Sequence, residues 1–165
     1  MADVTFRPAT QDDVPAIVAL LADDVLGATR ESPDDLAPYL TTFATVAACP
    51  DQVLVVAERD GQVVGTAQIT FMAGLSHRGM VRAEIEAVRV RSGERGAGLG
   101  ACLIRWCIEE AGRRRCGMVQ LTSNASRSDA HHFYANLGFE QSHLGFKMHL
   151  TRTPDAPFGD DPDVQ

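Results

Sequence analysis

Apolar residues recur along this chain with two periods, and each change of period marks an element. Val4-Thr5-Phe6-Arg7 alternates and predicts a first strand. Thr10 or Asp12 then offers a helix cap, and Val14, Ile17, Val18, Leu20 and Leu21 follow at helical spacing, predicting a helix over 11–24. Ser32-Pro33-Asp34-Asp35 reads as a second helix start, with Leu36, Tyr39, Leu40 and Phe43 as its apolar face and Pro50 as its stop. The continuous run Val53–Ala57 predicts a buried strand. Asp60-Gly61 signals a hairpin into a partner strand over 63–71. Residues 72–80 read as a loop, and Val81–Arg91 as the next strand.

The second half of the chain repeats the alternation of strand and helix. Leu99, Cys102, Leu103, Trp106 and Cys107 share a helix face, closed by Arg113-Arg114-Arg115 and Gly117. Met118–Thr122 predicts a strand. Ser126 or Ser128 caps a short helix carrying Ala130, Phe133, Tyr134 and Leu137, which Gly138 ends. A last strand is expected within Phe139–Leu150, and residues 151–165, rich in Pro, Asp and Gly, predict a disordered acidic tail. The order β-α-α-β-β-β-α-β-α-β implies an α/β (α+β) fold, a central mixed sheet with helices on both faces.

Between the strand at 81–91 and the helix after it lies Arg95-Gly96-Ala97-Gly98-Leu99-Gly100-Ala101. A glycine-rich turn at a helix N-terminus presents unpaired N–H groups and suits a phosphate or diphosphate. A Walker A loop needs Lys-Ser/Thr after its last glycine, whereas Gly100 is followed by Ala101-Cys102. The spacing Gly96, Gly98, Ala101 formally matches a dinucleotide fingerprint. The acidic residue that fingerprint needs is missing, because the next strand ends at Thr122-Ser123-Asn124.

Arg95-x-x-Gly98-x-Gly100 resembles the R/Q-x-x-G-x-G/A motif of the GNAT superfamily of acyl-CoA N-acyltransferases. Ala130-His131-His132-Phe133-Tyr134-Ala135-Asn136-Leu137-Gly138-Phe139 resembles the A-x-x-F-Y-x-x-x-G-F signature that closes the family's cofactor site. His132 stands where many relatives carry arginine. The likeness covers nearly all of residues 4–150, which are expected to form one N-acetyltransferase domain. It implies acetyl-CoA as co-substrate, held by Val88, Arg89, Val90, Arg95, Gly96, Ala97, Gly98, Leu99, Gly100, Ala101, Asn124, Phe133 and Tyr134. In the family the loop binds the coenzyme A diphosphate, and the pantetheine arm pairs like a strand with Val88-Arg89-Val90. Backbone N–H groups around Val90 serve the oxyanion. The acceptor is a primary amine, on a small molecule or a protein lysine, attacking directly in a ternary complex. Dimers are common in the family, so a homodimer is one state the resemblance allows, and the alternative activity is a non-catalytic acyl-CoA-binding module.

The chemistry asks for a base, because a lysine-like amine is only about 0.04% neutral at pH 7. Glu84 and Glu86 are the candidates, placed by period two on one face with Val88 and Val90. Glu84 has the spacing from Arg95 of the glutamate in the histone-acetylating branch of the family, and a water chain is the third option. Tyr134 is the implied proton donor to the leaving thiolate. Asn124 is read either as a turn residue or as a hydrogen-bond partner of the pantetheine arm.

Composition narrows the rest. A chain of 165 residues with 45% hydrophobic and 22% charged residues suits one globular domain. A net charge of −7 argues against nucleic-acid binding. Asp23, Asp24, Glu31, Asp34 and Asp35 read as a solvated surface or as an attractive field for a cationic acceptor. No apolar run predicts a membrane span, and the start of the chain does not read as a signal peptide, so a cytoplasmic location is expected. Cys49, Cys102, Cys107 and Cys116 form no metal pattern and read as free thiols, with Cys102 and Cys107 as buried apolar residues. The histidines at 77, 131, 132, 143 and 149 likewise suggest no metal.

Overall fold

In the computed structural model, which describes residues 4–23, 27–148 and 150, the apolar runs pair into one sheet. Strands β1 (Thr5–Pro8), β2 (Gln52–Arg59), β3 (Gln62–Ala73), β4 (Val81–Val90) and β5 (Met118–Leu121) lie side by side in chain order. The first four are antiparallel to their neighbours, and β5 joins β4 in parallel. Asp60 and Gly61 both take positive φ, 52° and 73°, the left-handed pair that a two-residue hairpin requires.

Helices cover both faces. Helix α4 (Leu99–Arg113) places Leu103, Ile104, Cys107 and Ala111 on Val55, Ala67, Ile69, Ala83 and Ile85, and α5 (Ser128–Asn136) adds Phe133 and Tyr134 at the margin. On the opposite face α1 (Val14–Ala22) packs Ile17 and Leu20 on Val56 and Val63. Each fully buried Val, Leu or Ile among them contributes about 1.5–3 kcal/mol relative to exposure. Arg7 and Asp13 lock the entry to α1. The Asp13 carboxylate accepts from the Arg7 guanidinium at 2.7 and 2.9 Å and from the Thr10 N–H at 2.7 Å, and Arg7 also bonds Glu58 on β2. The guanidinium beside it holds the Asp13 carboxyl down to about 2.

Four expectations change. The second helix, α2 (Ala37–Ala48), starts later than Ser32-Pro33, with Pro38 in its first turn. Residues 31–36 fold over Tyr39 instead: its hydroxyl accepts from the Ser32 N–H at 2.9 Å and donates to Glu31 at 2.9 Å. Cys102 is exposed, because the buried stripe of α4 runs through Leu99, Leu103, Cys107 and Ala111 and misses it. Arg115, at φ 59°, turns the chain after α4, whereas Gly117 is needed for space: a Cβ there would lie 2.8 Å from Met80. Finally, no strand forms over 140–148, where the chain is exposed and without regular structure. The 72–80 interval is largely a loop, though β3 extends to Ala73 and a single turn, α3 (Ser76–Gly79), holds His77 and Arg78 in left-handed φ. Asp24, His149 and the acidic tail 151–165 lie outside the described residues.

Candidate active site

The site is built where β4 hands over to α4. After β4 a tight 3-10 turn, Ser92–Glu94, leads into Gly96 and Gly98, with φ of 82° and 83°. Those values are open to glycine and costly for other residues. Gly98 is the residue before α4, and the helical ladder begins with Cys102 N–H to Gly98 O at 3.1 Å. The N–H groups of Leu99, Gly100 and Ala101 therefore precede the ladder and point out of the helix end, at its partial positive charge. Gly100 sits against Phe133, whose ring edge would be 3.4 Å from a Cβ there. The loop is held from outside by Asp23 at the end of α1. Its carboxylate accepts from Ser92 N–H at 3.0 Å and Arg95 at 3.2 Å, and its carbonyl accepts from Arg95 at 2.7 Å.

Beside the loop the sheet opens. Pairing between β4 and β5 ends at Ile85↔Leu121, yet β4 continues to Val90. Arg91 N–H donates to Val64 O on β3 at 2.9 Å, so the alternation of a strand turns the main-chain groups of Val88 and Val90 toward the open side. Their carbonyls accept from the Arg89 and Arg95 side chains there, at 2.9 Å each.

The opening is set by a bulge. Ala87 has φ 52°, and the β3–β4 register slips between Thr66 and Gln68. One extra residue reverses which face the later side chains occupy. Ala83 and Ile85 face α4, but so do Val88 and Val90, which pack against the clusters that hold Leu103 and Leu99 respectively. Glu84 and Glu86 lie on the other face, so the expectation that they share a face with Val88 and Val90 is corrected. The sequence carried the signal: apolar residues fall on odd positions to Ile85 and on even ones from Val88.

On that other face lies a cavity of about 180 Å³ between α1, α2 and the sheet. Val14, Ile17, Val18 and Leu21 from α1 meet Tyr39, Phe43 and Val46 from α2, and the floor is Leu54, Thr66, Gln68 and Ala87. None of the described residues that line it is charged. Sequence reasoning missed this cavity; it read the acidic residues nearby as a solvated surface or as an attractive field for a cation. Of those acids, Asp23 binds the loop, Glu31 binds Tyr39, and Asp35 accepts from the Ala37 N–H at 3.3 Å. Glu86 pairs across the sheet with Gln68 at the floor of the cavity, whereas Glu84 pairs with Thr70 further along and accepts from Gln120 at 2.5 Å.

Tyr134 lies on α5, the helix that follows β5. Its ring packs edge-on to Phe133 and Phe139 with centroids 5.1 and 5.9 Å away, and burial raises its phenol above the ordinary range. Asn124 forms a turn: its side-chain oxygen accepts from Ser126 N–H and hydroxyl at 2.9 and 2.8 Å. Among the described residues no three His, Cys, Asp or Glu side chains group as a metal site. The thiol of Cys107 is pushed up to about 12 by burial. No helix among the described residues is long and apolar enough to cross a membrane.

A mixed sheet splayed over a glycine-capped helix is the frame of an acyl-transferring enzyme. The acetyltransferase (GNAT) family model matches residues 16–139, and the chain belongs to that family and is an acetyltransferase. It is 30% identical to the aminoalkylphosphonate N-acetyltransferase of Salmonella typhimurium over 144 residues, 87% of this chain and 90% of that protein. It is 30% identical to an L-methionine sulfoximine/L-methionine sulfone acetyltransferase of Pseudomonas aeruginosa, over 84% of this chain and 81% of that one. A crystal structure from Bacillus halodurans, described as a transcriptional regulator, superposes with a TM-score of 0.86 at 42% identity, covering 90% of this chain and all of that one.

Proposed function

We propose that this enzyme transfers the acetyl group of acetyl-CoA to the primary amine of a small molecule that also carries an uncharged, largely apolar portion. One observation carries the reading: the open edge at Val88 and Val90 and the uncharged cavity meet at the same residue, Ala87. A groove for the acyl carrier and a chamber for the acceptor are thereby joined, which supports direct transfer with both reactants bound.

The residues present fit acetyl-CoA, which supplies the acetyl group as a thioester open to attack by an amine. Val88 and Val90 offer strand-like pairing to its amide-bearing arm, and the N–H groups around Gly96–Ala101 offer donors to its diphosphate. Arg89, Phe133 and Asn124 are the further residues assigned to it. Main-chain N–H on the open edge serves the carbonyl oxygen as negative charge develops. Glu86, beside Ala87 and across from Gln68, takes the proton of the amine directly or through water; Glu84, already bonded to Gln120, is the weaker candidate. Tyr134 keeps its proton at neutral pH and holds it for the departing sulfur.

The two curated relatives carry names of acetyltransferases for small amines, an aminoalkylphosphonate in one and methionine derivatives in the other. With the uncharged cavity, this supports a small acceptor over a protein lysine. The test is release of free coenzyme A thiol with a panel of amines: apolar amino acids, aminophosphonates, polyamines and a lysine peptide. Preference for the small uncharged side chains is expected. Coenzyme A binding with no acetylation of any amine would instead make the chain an acyl-CoA-binding module.

A further inference from the structure

Among the described residues four polar side chains border the uncharged cavity: Tyr39, Thr42, Thr66 and Gln68. The Thr66 hydroxyl, fully buried, donates to Val55 O at 2.9 Å. The Tyr39 hydroxyl is held between the Ser32 N–H and Glu31. Thr42 is exposed. Gln68 is different. Its amide nitrogen donates to Gln52 Oε1 on β2 at 3.0 Å, and its amide oxygen makes no hydrogen bond among the described residues.

The direction of that amide sets it apart. Gln68 stands directly across from Glu86, where facing side chains bring their Cβ atoms to within about 4.5–5.5 Å. A glutamine so placed can give its N–H to the carboxylate. Here the amide nitrogen goes instead to Gln52, diagonally across on β2, and Glu86 makes no hydrogen bond or ion pair among the described residues. The unspent oxygens of both side chains therefore lie on one face at the cavity's edge, with no protein donor bonded to either. A carboxylate beside an amide oxygen suits a guest that brings several N–H donors of its own.

We propose that Gln68 Oε1 and the Glu86 carboxylate together receive the acceptor's amine, and that the pair selects primary amines over secondary ones. The inference rests on the reading of the cavity as the acceptor's chamber. A primary ammonium carries three hydrogens on nitrogen. One goes to solvent by way of Glu86 and frees the lone pair that attacks the thioester carbon. A second is shed as the C–N bond forms and the C–S bond breaks, and it balances the proton that the departing thiolate takes from Tyr134. The third stays on nitrogen as the N–H of the product amide, and Gln68 holds it throughout. A secondary ammonium loses both of its hydrogens, so nothing remains for Gln68, and its extra carbon lies against the amide oxygen. That oxygen is then buried without a donor, which is how a polar site rejects an analogue. Gln52 is the positioning residue: by taking the amide N–H it keeps the oxygen of Gln68 turned to the amine.

The test compares an apolar primary amine with its N-methyl analogue, using the full chain, with coenzyme A binding followed by calorimetry. Wild type is expected to favour the primary amine about 10- to 100-fold in kcat/KM. Gln68→Leu should lower kcat/KM for the primary amine about 10- to 100-fold, change the N-methyl analogue less than about 3-fold, and leave coenzyme A affinity within about 2-fold. Gln52→Leu, which frees the Gln68 amide to turn toward Glu86, should raise KM for the primary amine about 3- to 10-fold, and it carries the test if the Gln68 variant loses coenzyme A binding. A wild type that takes both amines equally, or equal losses for the two amines in the Gln68 variant, would overturn the proposal. Unchanged kinetics in the Gln68 variant, where Phe43→Asp weakens the same primary amine, would overturn it alone. No effect from either substitution would overturn it together with the cavity reading beneath it.

Discussion

Asp23 at the end of α1 grips Arg95, through its carbonyl at 2.7 Å and its carboxylate at 3.2 Å, and fastens the glycine loop to the opposite layer of the fold. Both side chains are partly exposed, so the ion pair itself is worth well under 1 kcal/mol or so. The Ser92 N–H that shares the carboxylate adds a charged hydrogen bond. Asp23→Ala is expected to raise the KM for acetyl-CoA about 5- to 10-fold through loss of roughly 1–1.4 kcal/mol, with kcat largely kept. Steady-state kinetics with acetyl-CoA varied would check it; a fall in kcat at unchanged KM would contradict it.

Tyr134→Phe keeps the ring packing on Phe133 and Phe139 and removes only the hydroxyl. Turnover should fall about 100-fold, the lower end of what a positioned acid contributes, with coenzyme A affinity within about 2-fold. Burial raises the phenol, so the neutral, proton-holding form persists to pH values above its usual 10. Wild-type kcat should accordingly show no alkaline fall from this group below about pH 10. A Phe variant with full turnover would remove Tyr134 from the chemistry.

The two strand carboxylates separate by position. Glu86→Gln should lower kcat/KM about 100-fold near pH 7 and recover as pH rises and the amine loses its proton unaided. Glu84→Gln replaces one hydrogen-bonding group by another beside Gln120 and should cost less than about 5-fold. The pH profiles of both variants decide; a larger loss in the Glu84 variant reverses the assignment.

Acceptor choice follows from the cavity. Phe43→Asp places a carboxylate among Val18, Leu21 and Val46. It should weaken binding of apolar amines by about 1.4–2.7 kcal/mol, roughly 10- to 100-fold in KM, and favour cationic ones. Competition between an apolar amino acid and a diamine, read by mass spectrometry of the acetylated products, reports the switch.

Asp13 predicts an acid limb in stability. Its folded carboxyl, held to about 2 by Arg7, lies below its ordinary value of 3.8. The unfolded chain therefore binds a proton first, and the stabilisation is complete above about pH 4 and lost as pH falls toward 2. Asp13→Asn should cost about 1.5–3 kcal/mol at pH 7, and the difference from wild type should shrink by pH 2. Denaturant titrations at the two pH values measure it.

Most of the sheet was legible because its strands are apolar runs bounded by turn residues: Val53–Ala57, 63–71 and 81–91 all stand where their patterns put them, and the Asp60-Gly61 hairpin followed from its turn chemistry. The start of α2 was not, because Ser32-Pro33 is the better capped opening in sequence, yet the Ser32 N–H is bonded to the Tyr39 hydroxyl and the helix begins at Ala37. The glycine loop was legible as an anion site, but its tether to Asp23 joins residues 72 positions apart and leaves no local trace. The faces of Glu84 and Glu86 were misjudged because Ala87 is a bulge made without glycine. The uncharged cavity arises only when α1 and α2 meet over the sheet. The expected last strand has the right alternation in sequence and lacks a partner within its own described chain, so periodicity alone named a strand that no neighbour completes.

The central claim is tested most directly by a crystal structure of the enzyme with coenzyme A. The pantetheine amides should pair with the main chain of Val88 and Val90, with the diphosphate within hydrogen-bond distance of N–H groups from Gly96 to Ala101. Coenzyme A bound elsewhere, with the opening between β4 and β5 filled by solvent, would contradict the account.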